Sequence, residues 1–219
     1  GVFGLGYALS SWDGLHKFCL EQGYSDDDLV SVGLLVKKDN GRVYDRFRDR
    51  IIMPICLQQG QVVGFGARVV DSGDQPKFMN SPQTAFFDKG SLLYGLDKSY
   101  MRIREERAAV LVEGYMDVVS VYSAGIKNVI SNSGTALTER QINIIWKFFS
   151  SPIICLDGDK SGQDAALRIA EKLFPIINDE NKIYFSIMPE GNDPDDYIRQ
   201  NGKEKFLSRA NFCISSGPS

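Results

Sequence analysis

Histidine is nearly missing from this sequence: His16 is the single one in 219 residues. Chemistry built on imidazole therefore has little to work with. Cysteine is scarce too, and Cys19, Cys56, Cys155 and Cys213 lie far apart with no Cys-x-x-Cys pair. That spacing, with only His16 to partner the thiols, argues against a zinc site or a disulfide framework and for free thiols in a reducing compartment. No apolar run reaches the length of a membrane span, and residues 1–20 hold no basic region followed by an apolar core and cleavage site. A soluble, cytoplasmic protein is expected.

A strong charge of either sign is also lacking. The net charge is −3, which at first argues against a nucleic-acid partner, but the charges are unevenly spread. Residues 37–107 carry thirteen Lys or Arg against nine Asp or Glu, whereas residues 108–201 carry eight against thirteen. A basic segment beside an acidic one suits a protein that holds phosphates with one part and metal ions with the other. Hydrophobic content of 43% is ordinary for a globular chain, and the length allows one large or two modest domains.

What is present centres on residues 108–159. Ala108-Ala-Val-Leu-Val-Glu113 reads as a buried parallel strand, with Gly114 and a helical run from Tyr115 behind it, so Glu113 closes the strand and Asp117 falls in the next helix's first turn. Pro152-Ile-Ile-Cys-Leu-Asp157-Gly-Asp159 repeats the arrangement, with a helix from Lys160. Any one of these acids could simply cap a helix and meet solvent. Four of them converging on one sheet edge would raise one another's pKa unless a cation neutralised them. With no histidine there and Cys155 inside the strand, the available ligands are hard oxygens that suit Mg²⁺ or Mn²⁺.

Around this centre the chain changes character. A helical stretch is expected from near Ser11, with Trp12, Leu15, Phe18 and Cys19 on one face, and Ser25-Asp-Asp-Asp28 reads as a helix cap. From Val36 to Val70 short strands are expected, with a hairpin turn at Lys38–Arg42 and Ile51–Ile55 pairing with Gln61–Val70. Gly64 and Gly66 inside that strand imply a bulge or a close backbone approach. Arg46, Arg48 and Arg50 alternate, so a strand would put them on one face, either solvated or phosphate-binding. Pro76–Pro82 holds too many turn formers to be regular, and the irregular path to Leu96 offers Lys77 and Lys89 as working groups or as ordinary surface lysines. A charged helix over 97–107 leads to a domain boundary before Ala108.

Beyond it, strands near 128–130, 153–157 and 183–187 alternate with helices near 138–149 and 162–174, a pattern that predicts a largely parallel sheet with its site at the carboxyl edge. Ser133-Gly134-Thr135 falls at another strand end, and Asp193-Pro194-Asp195-Asp196 follows the last strand. Residues 201–219 read as a helix and a frayed tail, its Ser215–Ser219 end that of an excised piece.

Together these residues resemble the Toprim domain shared by bacterial primases, topoisomerases and some nucleases. Val112-Glu113-Gly-Tyr-Met-Asp117-Val-Val is similar to the bacterial replicative primase form of the motif. Arg46-Phe-Arg48-Asp-Arg50-Ile-Ile-Met-Pro54-Ile, Gly64-Phe-Gly-Ala-Arg68, Pro76–Pro82, Phe87-Asp-Lys89-Gly, Leu93–Leu96, Gly134–Thr138 and Asp193-Pro-Asp195 resemble further blocks of that primase family, in the family's order. The resemblance runs from Phe3 to about Phe206.

It implies an α/β fold: a Toprim-type parallel sheet flanked by helices over residues 108–200, preceded by a smaller mixed α+β, basic subdomain over 1–107, with 201–219 opening a helical part and tail. It implies an enzyme that makes short RNA primers on single-stranded DNA from ribonucleoside triphosphates, using two or more Mg²⁺ or Mn²⁺ ions. The implied ligands are Glu113, Asp157, Asp159 and Asp193, with Asp117 and Asp195, and the implied catalytic acids are Glu113, Asp157 and Asp159. Arg46, Arg48, Arg50, Arg68, Lys77, Asn80 and Lys89 are the implied nucleotide or nucleic-acid contacts. Measured against the family pattern, the zinc-binding module, the first part of the basic subdomain and the helicase-binding module are expected to lie outside this sequence. A nucleoid-associated bacterial location goes with that reading. Another Toprim enzyme, or a non-catalytic nucleic-acid-binding Toprim module, is the alternative.

Overall fold

Antiparallel strand pairing frames residues 1–89 of the computed structural model, which describes residues 1–70, 76–134 and 136–215 and the side chains as far as Ala210. Thr135 and Ser216–Ser219, on which the sequence raised expectations, lie outside the described residues.

The chain divides into two compact units, Gly1–Lys89 and Gly90–Ser219. In the first, β1 (Gly6–Ala8), α1 (Gly14–Glu21), α2 (Asp26–Ser31), β2 (Leu35–Lys37), β3 (Val43–Asp45), β4 (Arg50–Cys56), β5 (Val62–Val69) and β6 (Phe78–Asn80) follow in order. The antiparallel sheet runs β1-β4-β5-β6, and β2 and β3 form a separate hairpin whose turn carries Gly41 at φ +80°. Pro54 sits inside β4 because β1 pairs only with Arg50, Ile51 and Ile52, so no ladder on that flank needs its missing N–H.

Gly64 answers its expected close approach: a Cβ there would stand 2.4 Å from a ring carbon of the fully buried Phe87. Two expectations change. Residues 78–80 are a strand although their flanks are rich in turn formers, because pairing of Arg68 with Phe78 and Gly66 with Asn80 supplies the backbone's hydrogen bonds. The first helix begins at Gly14 rather than Ser11, which leaves Trp12 outside it, and of the four residues expected on one helix face only Cys19 is buried, against Leu29 and Leu35.

In the second unit, α3 (Leu96–Glu106), β7 (Val110–Val112), α4 (Tyr115–Ser123), β8 (Val129–Ser131), α5 (Glu139–Trp146), β9 (Ile153–Leu156), α6 (Lys160–Leu173), β10 (Tyr184–Ile187) and α7 (Pro194–Ser215) alternate as expected. The sheet order is β10-β9-β7-β8 and every pair is parallel. Leu111, Ile130 and Ile154 on three strands pack with Ile103 of α3, Ile142 and Ile145 of α5 and Leu173 of α6 in one apolar cluster. Burying each such side chain contributes roughly 1.5–3 kcal/mol, so the strand ends are held in place by packing. The central strand β7 is followed by β8 on one side, while β9 lies on the other. The order therefore reverses between β7 and β9, where open parallel sheets place their ligand crevice.

Candidate active site

Glu113 leaves the sheet at that reversal, one residue past β7, and Asp157 does the same past β9. The two are tied: the Glu113 Oε1 accepts a hydrogen bond from the backbone N–H of Asp157 at 3.4 Å. Burial pushes the Glu113 pKa up, and the charge of Asp159 adds to it, against the Asp157 N–H and the positive charge of Arg168. Burial also raises Asp157 to about 6, with Glu113, Asp193 and Asp159 contributing by repulsion. Asp117 is raised to about 7, first by burial and then by Asp193, Asp157 and Asp195, even though it accepts the Gly114 N–H at 2.9 Å. The carboxylates of three chain segments therefore act on one another.

Backbone contacts explain how the Asp-Gly-Asp run reaches the site. A Cβ on Gly158 would stand 1.9 Å from the Pro189 carbonyl oxygen, and the Gly158 N–H donates to the Asn192 carbonyl at 2.9 Å. Only a residue without a side chain lets the loop before Asp193 lie against the end of β9. A Cβ on Gly162 would be 2.1 Å from the Asp157 carbonyl oxygen, so the first turn of α6 is seated equally tightly.

The helix-capping role considered from sequence is real for Asp117, which accepts the N–H of the N-cap residue Gly114, and for Asp159, and Asp193 shares it. Asp159 Oδ1 accepts from Gly162 N–H at 2.9 Å, and Asp193 Oδ1 accepts from Asp196 N–H at 2.7 Å. Asp195 is more occupied: Arg199 grips both its oxygens, Nε at 2.7 Å, and the Ser120 hydroxyl donates to Oδ1. Among the described residues, no three acidic, histidine or cysteine side chains are grouped as the finished ligand set of an ion.

The expected basic residues do not share one strand face. β4 starts only at Arg50, and Asp49 at φ +50° turns the chain between Arg48 and Arg50. Arg50 is buried and donates to the Pro76 carbonyl at 2.7 Å, which makes it a brace for the loop. Arg46 is partly buried, its Nε lacks a hydrogen-bond partner among the described residues, and burial lowers its pKa.

Arg48 lies over Trp12, 4.0 Å from the ring centroid, and 5.3 Å from Tyr44, and it also donates to the Asp45 carbonyl. Arg42 stands 5.5 Å from Trp12, whose own ring meets Tyr44 edge-on at 5.4 Å. Trp12 and Tyr44 were not singled out from sequence as contacts. The signal was the alternation Arg42-Val-Tyr44-Asp-Arg46-Phe-Arg48, and Trp12 was hidden by its assignment to a helix face. Arg68 and Lys77 flank the exposed Phe78 at 5.5 and 5.6 Å from its ring, Asn80 ends the same strand opposite Gly66, and Lys89 closes the unit.

Residues 1–100 match the family model described as DNA primase catalytic core, N-terminal domain, and residues 110–198 match the Toprim-like model. A solved DnaG primase catalytic domain bound to single-stranded DNA is 38% identical with a TM-score of 0.85, over 96% of this chain and 67% of that one. This chain belongs to the DNA primase catalytic-core family. A primase domain from Pseudomonas aeruginosa superposes with a TM-score of 0.88 at 39% identity, covering 95% of this chain and 65% of that chain. The DNA primase of Escherichia coli K12 is 40% identical over 207 residues, 94% of this chain and 36% of its own length. The chain thus spans about a third of that curated relative.

A primase-family model over the first hundred residues separates this chain from the topoisomerase and nuclease alternatives, which share only the Toprim part. The family's helix-flanked parallel sheet is the fold expected from the βαβ alternation. Among the described residues, no helix is long and apolar enough to cross a membrane, and Cys19, Cys56 and Cys155 form no disulfide.

Proposed function

We propose that this chain is the catalytic part of a primase, joining ribonucleotides into short RNA primers on a single-stranded DNA template. One observation carries the reading: Glu113, Asp157 and Asp159 converge at the strand-order reversal, where burial and mutual repulsion raise the Glu113 and Asp157 pKa values, in a chain of primase family.

The donor set fits a hard divalent cation, because every donor is a carboxylate oxygen and a positive charge there would relieve the repulsion. Bound Mg²⁺ or Mn²⁺, two ions or more, would lower the pKa of the primer 3′-hydroxyl and neutralise charge on the leaving pyrophosphate. Glu113, Asp157, Asp159 and Asp193 would hold them, with Asp117 beside them. Asp159 and Asp193 each give one oxygen to a helix N–H and keep the other for a cation. Asp195 could serve only after releasing Arg199 or Ser120. Glu113, half-buried and tied to the Asp157 N–H, would accept the hydroxyl proton.

In the first unit, Trp12 and Tyr44 give ring faces for unstacked bases, with Arg42 and Arg48 supplying charge beside them, the composition of single-strand contacts. Arg68 and Lys77 around Phe78 offer a second such group, while Lys89, Asn80 and Arg46 are further candidates for phosphate. Arg50 braces the loop and is not part of that surface. A helicase partner would belong to a module outside this sequence, and a cytoplasmic, nucleoid-associated location goes with the reading.

The test is template-dependent primer synthesis from ribonucleoside triphosphates with Mg²⁺ or Mn²⁺, alongside calorimetric titration of Mn²⁺ into wild type and Asp157→Ala. Primer synthesis by the wild type and weakened ion binding in the variant are expected. Equal ion binding by both proteins would place the metal elsewhere.

A further inference from the structure

Asp45 ends β3, is only 3% exposed, and has both carboxylate oxygens engaged by a helix some thirty positions earlier in the chain. Oδ2 accepts the Leu15 N–H at 2.8 Å and Oδ1 the His16 N–H at 2.9 Å. These belong to the first turn of α1, where no carbonyl of the helix itself can serve them. The residue in the local cap position, Asp13, makes no side-chain cap bond and pairs instead with Lys17 at 2.8 Å. Capping of α1 thus falls to an aspartate on another element.

The main chain of the same residue reaches the ring-and-cation group. The Asp45 N–H donates to the Trp12 carbonyl at 2.8 Å, and the Asp45 carbonyl accepts from the Arg48 guanidinium. Arg48 lies 4.0 Å from the centroid of the Trp12 ring, and Tyr44, the chain neighbour of Asp45, meets that ring edge-on. Fastening α1 to the hairpin needs the carboxylate alone. The two further bonds fix residues whose side chains look outward, Trp12 being 53% exposed. An exposed ring and a long cation held in place before binding lose less freedom when a ligand arrives, which raises affinity without adding a contact.

We propose that Asp45 is a positioning residue for the single-strand surface, holding the Trp12 ring and the Arg48 guanidinium as one pre-organised unit. It rests on the reading of Trp12, Tyr44 and Arg48 as strand contacts, and adds to it the buried acid on which their arrangement depends. Asp45 itself touches no nucleic acid.

The test is Asp45→Asn, which keeps the shape but sets an amide NH₂ against one of the two helix N–H groups. Affinity for a labelled oligothymidylate, read by anisotropy, should fall roughly three- to tenfold, part of what one stacked base is worth. In a protein already carrying Trp12→Ala and Arg48→Ala, the same substitution should cost less than about twofold, because the residues it acts through are gone. A merely architectural acid would cost the same factor in both backgrounds, and that result would overturn the proposal. A second readout needs no nucleic acid. With Trp146→Phe, Trp12 is the single tryptophan, and acrylamide should quench its fluorescence more strongly once Asp45→Asn loosens the ring. Unchanged quenching would also overturn the role. If Asp45→Asn does not fold, by thermal melting, Asp45→Ser, whose hydroxyl still accepts one helix N–H, takes its place in every arm. Binding weakened by Trp12→Ala but not by Asp45→Asn would keep the strand contact and lose the positioning residue. Binding indifferent to Trp12→Ala, with quenching still raised by Asp45→Asn, would keep the hold on the ring and lose the strand contact.

Discussion

The acidic edge of the second unit and the basic surface of the first are built by different means. At the acidic edge the main chain places the side chains: Glu113 and Asp157 end adjacent parallel strands, Gly158 presses on the Pro189 carbonyl, and Asp159 and Asp193 sit at helix starts. On the basic surface aromatic rings place them, Arg48 over Trp12 and Arg68 and Lys77 beside Phe78. The first arrangement leaves little freedom and concentrates charge that repels itself. The second spreads flexible charges whose contacts with exposed rings contribute only about 0.5–1 kcal/mol each. Removing one acid should therefore change chemistry steeply, and removing one cation should change affinity slightly.

The sharpest test of that contrast is Glu113→Gln, which keeps size and some hydrogen bonding and removes the charge. Loss of a general base alone lowers rates about a hundred- to ten-thousand-fold. Metal-free stability should hold or rise slightly, because the neighbouring carboxylates lose a repulsive partner. Primer synthesis and melting temperature measured on one preparation check both parts, and a variant working near the wild-type rate would pass the catalytic role to Asp157 and Asp159.

Gly158→Ala should come next in size. The added Cβ would fall 1.9 Å from a backbone oxygen that cannot rotate away, so the loop carrying Asp193 must move and a loss on the order of 2–3 kcal/mol is expected. Gly64→Ala meets the Phe87 ring at 2.4 Å instead, and a side chain yields more readily than backbone. Urea unfolding of both variants ranks them, and a greater loss at Gly64 would break the claim that the acidic edge is the more rigidly placed.

The same division explains what could be read from sequence. β7 and β9 are apolar runs with acids at their ends, and a parallel sheet leaves few places for Glu113 and Asp157 to go, so their convergence was legible. The Pro189 contact behind Gly158 joins residues thirty-one positions apart in the chain, and nothing in the local pattern encodes it. Arg46, Arg48 and Arg50 alternate as a strand would, yet Asp49 takes φ +50°, Arg48 lies over Trp12, Arg50 braces the Pro76 carbonyl and the Arg46 Nε has no hydrogen-bond partner among the described residues. Trp12 reads as part of a helix face because apolar spacing cannot tell a helical position from a ring held out beside the helix start.

A third prediction concerns pH. Asp117 and Asp157, raised to about 7 and about 6, bind protons in the folded chain that the unfolded chain binds only near its ordinary value of 3.8. In EDTA, stability should therefore rise as pH falls from about 8 to about 5, by a few degrees in melting temperature. Asp13 and Asp28 are shifted downward by Lys17 and by Ser25, and their opposing loss of stability begins only as pH falls toward 4. Mn²⁺ binding should weaken over the same fall from 8 to 5, since protons and ions compete for the same oxygens. Melting temperature and Mn²⁺ affinity both flat with pH would mean that these carboxylates are not under mutual strain.

The smallest expected effects belong to single cations of the first unit, and salt dependence measures them better than affinity at one condition. Removing one cation that neutralises a phosphate should reduce the slope of log affinity against log salt by roughly 0.7 for a single strand. Lys77→Ala should show that change with little else, because Lys77 is exposed beside Phe78 and no buried group loses a partner with it. Lys89→Ala should give a similar change in slope. Arg48→Ala should also lower the slope but additionally frees the Trp12 ring that it covers at 4.0 Å, so its affinity loss need not match its slope. Trp12→Ala separates the two effects: stacking on an aromatic ring is worth about 1–3 kcal/mol per base and involves no counterion release, so affinity should drop at every salt concentration with the slope unchanged. Fluorescence anisotropy of a labelled single-stranded oligonucleotide across a salt series reads all four variants. A Trp12→Ala line parallel to wild type and a flatter Lys77→Ala line would assign ring and charge their separate roles. If Trp12→Ala flattened the line instead, the ring would be acting by holding Arg48 against the template, and the two residues would count as one contact.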